Sequence, residues 1–313
     1  MNGTPFPVTR FLSPRYWPTW IGLGITWALA FVPYRWLMCL GRLLGRVLSA
    51  FPSERRRIAM VNLSLCFPEF TVIQRKNLLH RHFESLGMGL METALCWWAS
   101  PARLRLLLVQ VYGLEHLEKV LAQGNEGGRG AILLIAHFTT MEMAGTLLST
   151  QVALHVTYRQ HKNALFDEVM RRARLSHQDA VLIEHDNIRA MLRALKNNNT
   201  VWYAPDQNYA GKHSTFAPFF GISAATMTAT AEMARISGAT IIPLFPERLP
   251  RDKGYRITLQ PALEGFPTGN AEQDAARINA LFEQQVRRIP EQYLWVHRRF
   301  KTRPLGEDSI YRK

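Results

Sequence analysis

Alternating strand and helix patterns from residue 130 onward constrain the fold of this chain more than any other feature. Six short apolar runs, rich in β-branched and aromatic residues, predict strands at 131–136, 153–158, 180–183, 200–204, 239–245 and 255–260. Helical patterns separate the first five runs and follow the last one, at 140–150, 164–175, 187–197, 224–236 and 271–288. We therefore expect an α/β fold with a mostly parallel central sheet flanked by helices. The last two strands are expected to form an antiparallel hairpin at the sheet edge.

The N-terminal run of residues 16–34 contains nineteen residues without a charge, between Arg15 and Arg35. As one helix it would measure about 28 Å at roughly 1.5 Å per residue, close to the hydrocarbon thickness of a bilayer. More arginines follow the run than precede it, which predicts a main body on the cytoplasmic side. We expect residues 1–34 to form an N-terminal membrane anchor. The run itself leaves open three alternatives: a cleaved signal peptide, an interfacial helix and a buried core helix.

Residues 34–66 mix apolar residues with arginines and predict basic amphipathic helices, which favour an anionic lipid surface. Residues 71–97 continue with a helical apolar pattern. No linker interrupts the remaining chain. We therefore expect one cytoplasmic domain at 35–313, with a helical membrane-facing part at 35–110 and an α/β catalytic part at 111–313.

The charge of the chain narrows its possible partners. Its 38 Lys and Arg residues against 24 Asp and Glu residues give a net charge of +14, which attracts phosphorylated lipids, nucleic acids and acidic proteins. No known nucleic-acid-binding module is visible, so nucleic acid is not an expected partner. The three cysteines form no CxxC pair and no HExxH pattern occurs, so neither a metal site nor a cofactor is expected. A basic scaffold without enzymatic activity is the alternative.

Polar residues follow four predicted strands at their carboxyl ends, where open parallel sheets bind ligands. His137, Arg159 and Asp206 follow the first, second and fourth strands, and Glu184 and His185 follow the third. Because the carboxyl ends of parallel strands lie along one edge, we expect these residues at one rim. They are candidates for an active site.

The segment AHFTTMEMAG places His137 five positions before Glu142. If a helix begins near Thr139 or Thr140, both side chains can converge over its first turn. A neutral histidine supported by a carboxylate is a general base suited to acyl transfer. The same residues also fit a capping box between Thr139 and Glu142. The spacing alone leaves the catalytic dyad and the capping box open.

Six sequence blocks together resemble the late acyltransferases of lipid A biosynthesis, the Kdo2-lipid IVA lauroyltransferase group. They are LSPRYWPTWIGLGI, NLSLCFPE (62–69), HFESLGMGLMET (82–93), AHFTTMEMAG, VWYAPDQNY (201–209) and WVHRRFKTRP (295–304). The resemblance covers nearly the whole chain and implies a fold like that of glycerolipid acyltransferases. It also implies an enzyme at the cytoplasmic face of the bacterial inner membrane, in contact with its phospholipid. Such an enzyme transfers a fatty acyl chain from acyl carrier protein to a hydroxyacyl chain of Kdo2-lipid IVA.

The resemblance also implies roles for individual residues. His137 would deprotonate the acceptor hydroxyl, and Glu142 would orient and electrostatically support His137. Arg159 and backbone N–H groups at 138–140 are candidates to stabilise the tetrahedral intermediate. Asp206 matches an aspartate of the family and is expected, with Arg159, to contact substrate. Taken alone, Arg159 also fits a solvated surface position and Asp206 a turn.

The basic segment at 297–303 includes Arg298 and Arg299, which we expect to bind substrate. Guanidinium groups suit the phosphates of the acceptor and the acidic surface of the carrier protein. A solvated basic tail is the alternative. A related membrane acyltransferase that acts on a glycerophospholipid is the alternative function. The sequence does not specify the acyl chain length, its unsaturation or which late acylation step is performed.

Overall fold

The computed structural model describes residues 5–124, 129–176 and 180–311. Within these ranges the strands are β1 (Leu108–Tyr112), β2 (Ala131–Leu134), β3 (His155–Tyr158), β4 (Val181–Glu184), β5 (Thr200–Tyr203), β6 (Ser214–Phe219), β7 (Ile222–Met227), β8 (Thr240–Arg248) and β9 (Tyr255–Leu259). The α-helices are α1 (Trp17–Leu29), α2 (Tyr34–Ala50), α3 (Glu54–Cys66), α4 (Val72–Trp98), α5 (Pro101–Arg105), α6 (Leu114–Gly124), α7 (Met141–Leu148), α8 (Ala164–Leu175), α9 (Ile188–Lys196), α10 (Ala229–Ser237) and α11 (Ala271–Arg288).

Seven strands form the central sheet, in the order β1-β9-β8-β2-β5-β3-β4. All neighbouring pairs are parallel except β8 and β9. The predicted α/β fold with a mostly parallel sheet is therefore confirmed, and the last two predicted strands are antiparallel as expected. Their place at the sheet edge was wrong, because β1 adds outside β9 and becomes the edge strand.

A second, two-stranded sheet replaces part of a predicted helix. We expected a helix over 224–236, but residues up to Met227 belong to β7, which pairs antiparallel with β6, and α10 begins at Ala229. Phe220 and Gly221 between the strands both have positive φ, of 52° and 72°. Two central residues with positive φ give the turn that suits a two-residue hairpin, so the local turn overrides the helical pattern.

Two apolar cores cover the two faces of the central sheet. Ile132 and Leu134 of β2 face one core, which α3, α9, α10 and α11 complete. Ala131 and Leu133 face the other, which α7 and α8 cover. This arrangement follows from the two-residue period of a strand buried on both faces. The long helix α4 contributes to both cores.

The charge-free run at 16–34 does not form one continuous helix. Helix α1 ends at Leu29, and α2 begins at Tyr34 after Pro33, so α1 has 13 residues and measures about 20 Å. Among the described residues, which omit 1–4, the structure contains no helix with both the length and the apolar character to cross a bilayer. The division of the chain at 34/35 and 110/111 stays a prediction, and strand β1 crosses the second boundary.

Helix α2 packs against α4 through its small residues. A Cβ atom on Gly45 would lie 2.1 Å from the carbonyl oxygen of Phe83, so only glycine allows this approach. Arg42 and Arg46 form ion pairs with Asp252 and Glu84. Leu37 and Met38 of α2 are buried, whereas four large apolar residues on its outer side, Trp36, Leu40, Leu43 and Val47, are exposed.

Candidate active site

The register of two neighbouring strands brings His137 and Asp206 together. Leu134 at the end of β2 pairs with Tyr203 at the end of β5, and each candidate residue lies three positions further along its chain. The strand β3, which precedes Arg159, is the other neighbour of β5. The expected gathering of these three residues at one sheet edge is therefore observed.

Asp206 holds His137 by two hydrogen bonds. The imidazole Nδ1 lies 2.5 Å from Oδ1 of Asp206, and the backbone N–H of His137 donates to Oδ2 at 3.0 Å. An ionised carboxylate only accepts, so Nδ1 carries the proton and Nε2 is left for a substrate. The His137 side chain is 27% exposed and that of Asp206 is 3% exposed. This geometry is that of a general base oriented by a carboxylate.

The two groups shift each other's pKa in opposite directions. Burial disfavours the charged imidazole, but the negative charge and hydrogen bond of Asp206 outweigh it and raise the pKa of His137. Burial alone would raise the pKa of Asp206, but the charge of His137 and its two hydrogen bonds lower it. The pair therefore favours the charged forms of both residues.

Glu142 does not orient His137, which corrects the expected contact. Both of its oxygens instead accept from Arg174 of α8, from Nε at 2.9 Å and from Nη2 at 2.6 Å. Burial would lower the pKa of Arg174, but the charge of Glu142 raises it. Such a two-bond pair fixes both side chains. The five-residue spacing places Glu142 near His137 but directs its carboxylate to the neighbouring helix.

The capping box is not formed either. Helix α7 begins at Met141 with Thr140 as its N-cap, and no side chain caps it. The Thr139 hydroxyl instead lies 2.7 Å from Oγ of Ser85. The backbone N–H groups of Phe138 and Thr139 donate to the carbonyl oxygens of Ala136 and Gln292. These two N–H groups are therefore not available to the tetrahedral intermediate, contrary to our expectation for 138–140.

A cavity of about 430 Å³ opens beside His137. Glu142, Arg159 and Arg174 share its lining with His137. The rest is mostly apolar and includes Leu86, Leu90, Val156, Met170, Trp202 and Leu294. A mostly apolar cavity with a few charged side chains in its wall suits an amphiphilic ligand.

Two arginines predicted to bind substrate lie elsewhere. Arg299 is 3% exposed, and its guanidinium donates to the carbonyl oxygen of Ala225 and to Thr226 of β7. Its contact with a phosphate at the surface is therefore ruled out by burial. Arg298 pairs with Glu54, and neither arginine is among the described residues that line the cavity.

The segment after Tyr293 contacts the chain just after Asp206. Nε2 of His297 accepts from the backbone N–H of Asn208 at 3.0 Å. Burial lowers the pKa of His297 to about 4, although the carboxylate of Asp206 acts in the opposite sense. His297 is therefore neutral beside the His137–Asp206 pair. The described residues contain no group of three or more His, Cys, Asp or Glu placed to hold a metal ion.

Glu184 and His185 differ from the other rim residues in position. Both are exposed, and His185 lines a second cavity of about 430 Å³ that Tyr203 also lines. Trp202 lines the first cavity, and consecutive strand residues point to opposite faces, so the two cavities lie on opposite faces of the sheet. Neither residue is among the described residues that line the cavity beside His137.

A family model described as bacterial lipid A biosynthesis acyltransferase matches residues 7–302. The chain belongs to this family. The acyltransferase is 40% identical to the lipid A biosynthesis palmitoleoyltransferase of Escherichia coli (strain K12) over 303 residues, which cover 96% of this chain and 97% of that protein. It is 39% identical to the lauroyltransferase of the same organism, over 99% and 100% of the two chains.

More distant similarities are also found for this acyltransferase. The lipid A biosynthesis myristoyltransferase of Escherichia coli (strain K12) is 28% identical over 97% of this chain and 93% of its own. A crystal structure of the 1-acyl-sn-glycerophosphate acyltransferase from Thermotoga maritima is 14% identical, with a TM-score of 0.36, over 80% of this chain and 99% of that one. The predicted family and the prediction of an enzyme are confirmed by the family match.

Sequence reasoning missed Arg174 as a residue of this acyltransferase's candidate site. It occupies the last turn of α8, 32 positions after Glu142, and no short motif links the two. The available signal was the group of arginines, Arg171, Arg172 and Arg174, on the helix that was predicted to follow β3 and cover the sheet. Asp206 was found, but as a substrate contact instead of the partner of His137.

Proposed function

We propose that this enzyme transfers a fatty acyl chain from acyl carrier protein to a hydroxyacyl chain of Kdo2-lipid IVA. The observation that carries the proposal is the His137–Asp206 pair at the wall of an apolar cavity, in a chain of the lipid A acyltransferase family. The apolar lining suits the acyl chain of the donor. The net charge of +14 suits an acidic carrier protein and a phosphorylated acceptor.

In the proposed reaction His137 acts as a general base. Its Nε2 takes the proton of the acceptor hydroxyl while the hydroxyl oxygen attacks the thioester carbonyl carbon, and Asp206 stabilises the resulting imidazolium. The tetrahedral intermediate then collapses, and the C–S bond breaks. The leaving thiolate takes the proton back from His137, so that no acyl-enzyme forms.

The cavity arginines supply positive charge for the intermediate. Arg159 is exposed at the cavity and is the proposed partner of the oxyanion. We assign Glu142 to the active site as the residue that holds Arg174 in the cavity wall, where its charge favours the same intermediate. Arg298, 35% exposed beside Glu54, stays a candidate contact for acceptor phosphates or for the carrier protein.

The apolar surface of the N-terminal part is proposed to rest on the cytoplasmic face of the inner membrane. Between Val8 and Phe51 the exposed large apolar side chains include Leu12, Trp17, Ile21, Ile25, Trp27, Phe31, Trp36, Leu40, Leu43 and Val47. Isolated exposed apolar residues are ordinary, but a set this large in 44 consecutive residues is typical of a surface that contacts another phase. Arg35 and Arg55, both exposed, suit anionic headgroups.

A transfer assay tests the function. The purified enzyme, in detergent, is supplied with Kdo2-lipid IVA and with acyl carrier protein that carries chains of ten to sixteen carbons, and products are read by mass spectrometry. We expect one added chain with the wild type and with His185→Ala, and none with His137→Ala. His185 is the matched control because it also follows a strand of the sheet.

The acceptor is tested in parallel arms. Product only with a penta-acylated acceptor would assign the later acylation step, and product only with lysophosphatidic acid would replace the proposed acceptor by a glycerophospholipid. Full activity of His137→Ala would contradict the proposed mechanism.

A further inference from the structure

A buried ion pair lies near the loop that carries His137 and has no part in the chemistry proposed above. The guanidinium Nε of Arg248, at the end of β8, donates to Glu92 of α4, and the hydroxyl of Tyr255 donates to the same carboxylate oxygen at 2.7 Å. Arg248 is 5% exposed and Glu92 is 1% exposed. Apolar residues of similar volume often stabilise a core as well as a buried ion pair does. Stability alone therefore does not explain why an ion pair is buried at this position.

The first connection from this pair to the active-site loop runs through two hydroxyl groups. Nη1 of Arg248 donates to Oγ of Ser85 at 2.8 Å, and Ser85 Oγ lies 2.7 Å from Oγ1 of Thr139. Thr139 is two residues after His137 and lines the same cavity. The guanidinium of Arg248 is thus connected, through Ser85, to the side chain of Thr139 in the loop.

The second connection runs through Gln292 to the backbone of Thr139. The Thr139 N–H donates to the carbonyl oxygen of Gln292 at 2.7 Å. The Gln292 side chain in turn accepts from the backbone N–H of Arg248 at 2.9 Å and donates to its carbonyl at 3.0 Å. Arg248 is therefore linked to Thr139 by two routes. Its guanidinium reaches the Thr139 side chain through Ser85, and its backbone reaches the Thr139 N–H through Gln292.

Helix α4 is shaped for these contacts. Ser85, Gly89 and Glu92 are spaced by four and three residues and share one face. A Cβ atom on Gly89 would lie 2.4 Å from the carbonyl oxygen of Thr139, so the helix reaches the loop only through glycine. Leu86 and Leu90, next to this face, line the cavity. One helix therefore builds the cavity wall and supports the loop.

We propose that Glu92, Arg248, Ser85 and Gln292 are positioning residues, which hold Thr139 and thereby fix the His137 imidazole in its reacting geometry. The inference rests on the proposed role of His137 as the general base. A displacement of about 1 Å in a reacting group costs about a hundredfold in rate, so a network that prevents it affects turnover more than binding.

Hydroxyl variants test the inference without leaving a buried charge unpaired. Thr139→Val keeps the side-chain shape and removes the hydroxyl, Thr139→Ser keeps the hydroxyl, and Ser85→Ala removes its partner. We expect Thr139→Val and Ser85→Ala to lower kcat by about tenfold to a hundredfold, with KM for donor and acceptor near wild-type values. Thr139→Ser should recover most of the loss. The double variant should be no slower than Ser85→Ala alone, because both substitutions remove the Ser85–Thr139 hydrogen bond and only Ser85→Ala also removes the one from Arg248.

Ser237→Ala is the matched control, because the buried Ser237 hydroxyl donates to the carbonyl of Met233 in α10, away from the cavity. It should keep the wild-type kcat. Wild-type kcat in Thr139→Val, additive losses in the double variant, or no recovery in Thr139→Ser would each overturn the positioning role. Failure of the proposed function is separate, since it would appear as no transfer by the wild type or full transfer by His137→Ala.

Discussion

Nδ1 of His137 lies 2.5 Å from Oδ1 of Asp206, although the residues are 69 positions apart in the chain. Two adjacent parallel strands in register create this contact, whereas the nearer acid, Glu142, pairs with Arg174. The imidazole and the carboxylate that it contacts therefore belong to the sheet edge. Glu142 and Arg174 belong to the two helices that cover one face of the sheet.

Replacement of the orienting carboxylate should disable turnover without unfolding the protein. Asp206→Asn keeps the size of the side chain but favours the wrong tautomer of His137, and the equivalent change in a serine protease triad costs about 10⁴ in kcat. We expect a loss of about a thousandfold or more. Transfer kinetics measure it, and circular dichroism checks the fold. A kcat within a few fold of the wild type would show that another group orients His137.

The activity of the wild type should rise with pH through the pKa of His137. The base must be neutral, and Asp206 raises the pKa of His137 above its usual 6.5, so the acid limb of kcat/KM should have its midpoint above 6.5. Asp206→Asn removes the charge that raises this pKa and should move the midpoint to lower pH. Glu142→Gln should leave the midpoint in place. A pH–rate profile of each variant measures these midpoints.

The same pair makes stability depend on pH in a defined direction. His137, with a raised pKa, stabilises the fold below its unfolded value of 6.5, and this contribution is lost as pH rises through the folded pKa. Asp206, with a lowered pKa, stabilises the fold above 3.8, and its contribution is lost as pH falls through the folded pKa. The free energies of unfolding of the wild type and of His137→Ala, measured in urea, should therefore differ most between pH 3.8 and pH 6.5.

The ion pair in the cavity wall should act as one unit. Arg174→Lys removes the two-bond geometry and Glu142→Gln removes the charge, so each should lower kcat, and the double variant should lose less than the product of the two. Arg172→Lys is the matched control, because Arg172 pairs with Glu168 on the same helix and is not among the described cavity residues. It should retain activity. Additive losses for Glu142 and Arg174 would contradict a joint role.

The fold and the site were predictable to different extents. Apolar runs such as 131–136 and 200–204 identified buried strands, because a strand covered on both faces has to be apolar throughout. The order of strands is a long-range property, so the sequence did not show that β5 separates β2 from β3 or that Asp206 meets His137. The hairpin at β6 and β7 was missed because its alanines and threonines fit a helix as well, and only the turn at 220–221 distinguishes the two.

The exposed apolar side of α2 should control access to a membrane-bound acceptor. Leu40→Glu and Leu43→Glu place charges among exposed apolar residues, and we expect weaker sedimentation with anionic vesicles. Activity should fall on acceptor in vesicles and persist on acceptor in detergent. Leu305→Glu, at a fully exposed position near the C-terminus, is the control. Equal vesicle binding by all variants would place the membrane contact elsewhere.

Gly145 should limit the length of the acyl chain that the enzyme accepts. It lies on α7, one turn after Glu142, and lines the cavity opposite Trp202, where an added Cβ would lie 3.9 Å from the indole. Gly145→Ala should therefore be tolerated, and because alanine favours a helix more than glycine does, this variant should not lose stability. Gly145→Leu would fill the cavity and should shift preference toward shorter donors, since one methylene is worth about tenfold to two-hundredfold in discrimination. Competition between donors of ten to sixteen carbons, read by mass spectrometry, measures the shift. An unchanged preference with lower overall activity would mean that the acyl chain occupies another part of the cavity.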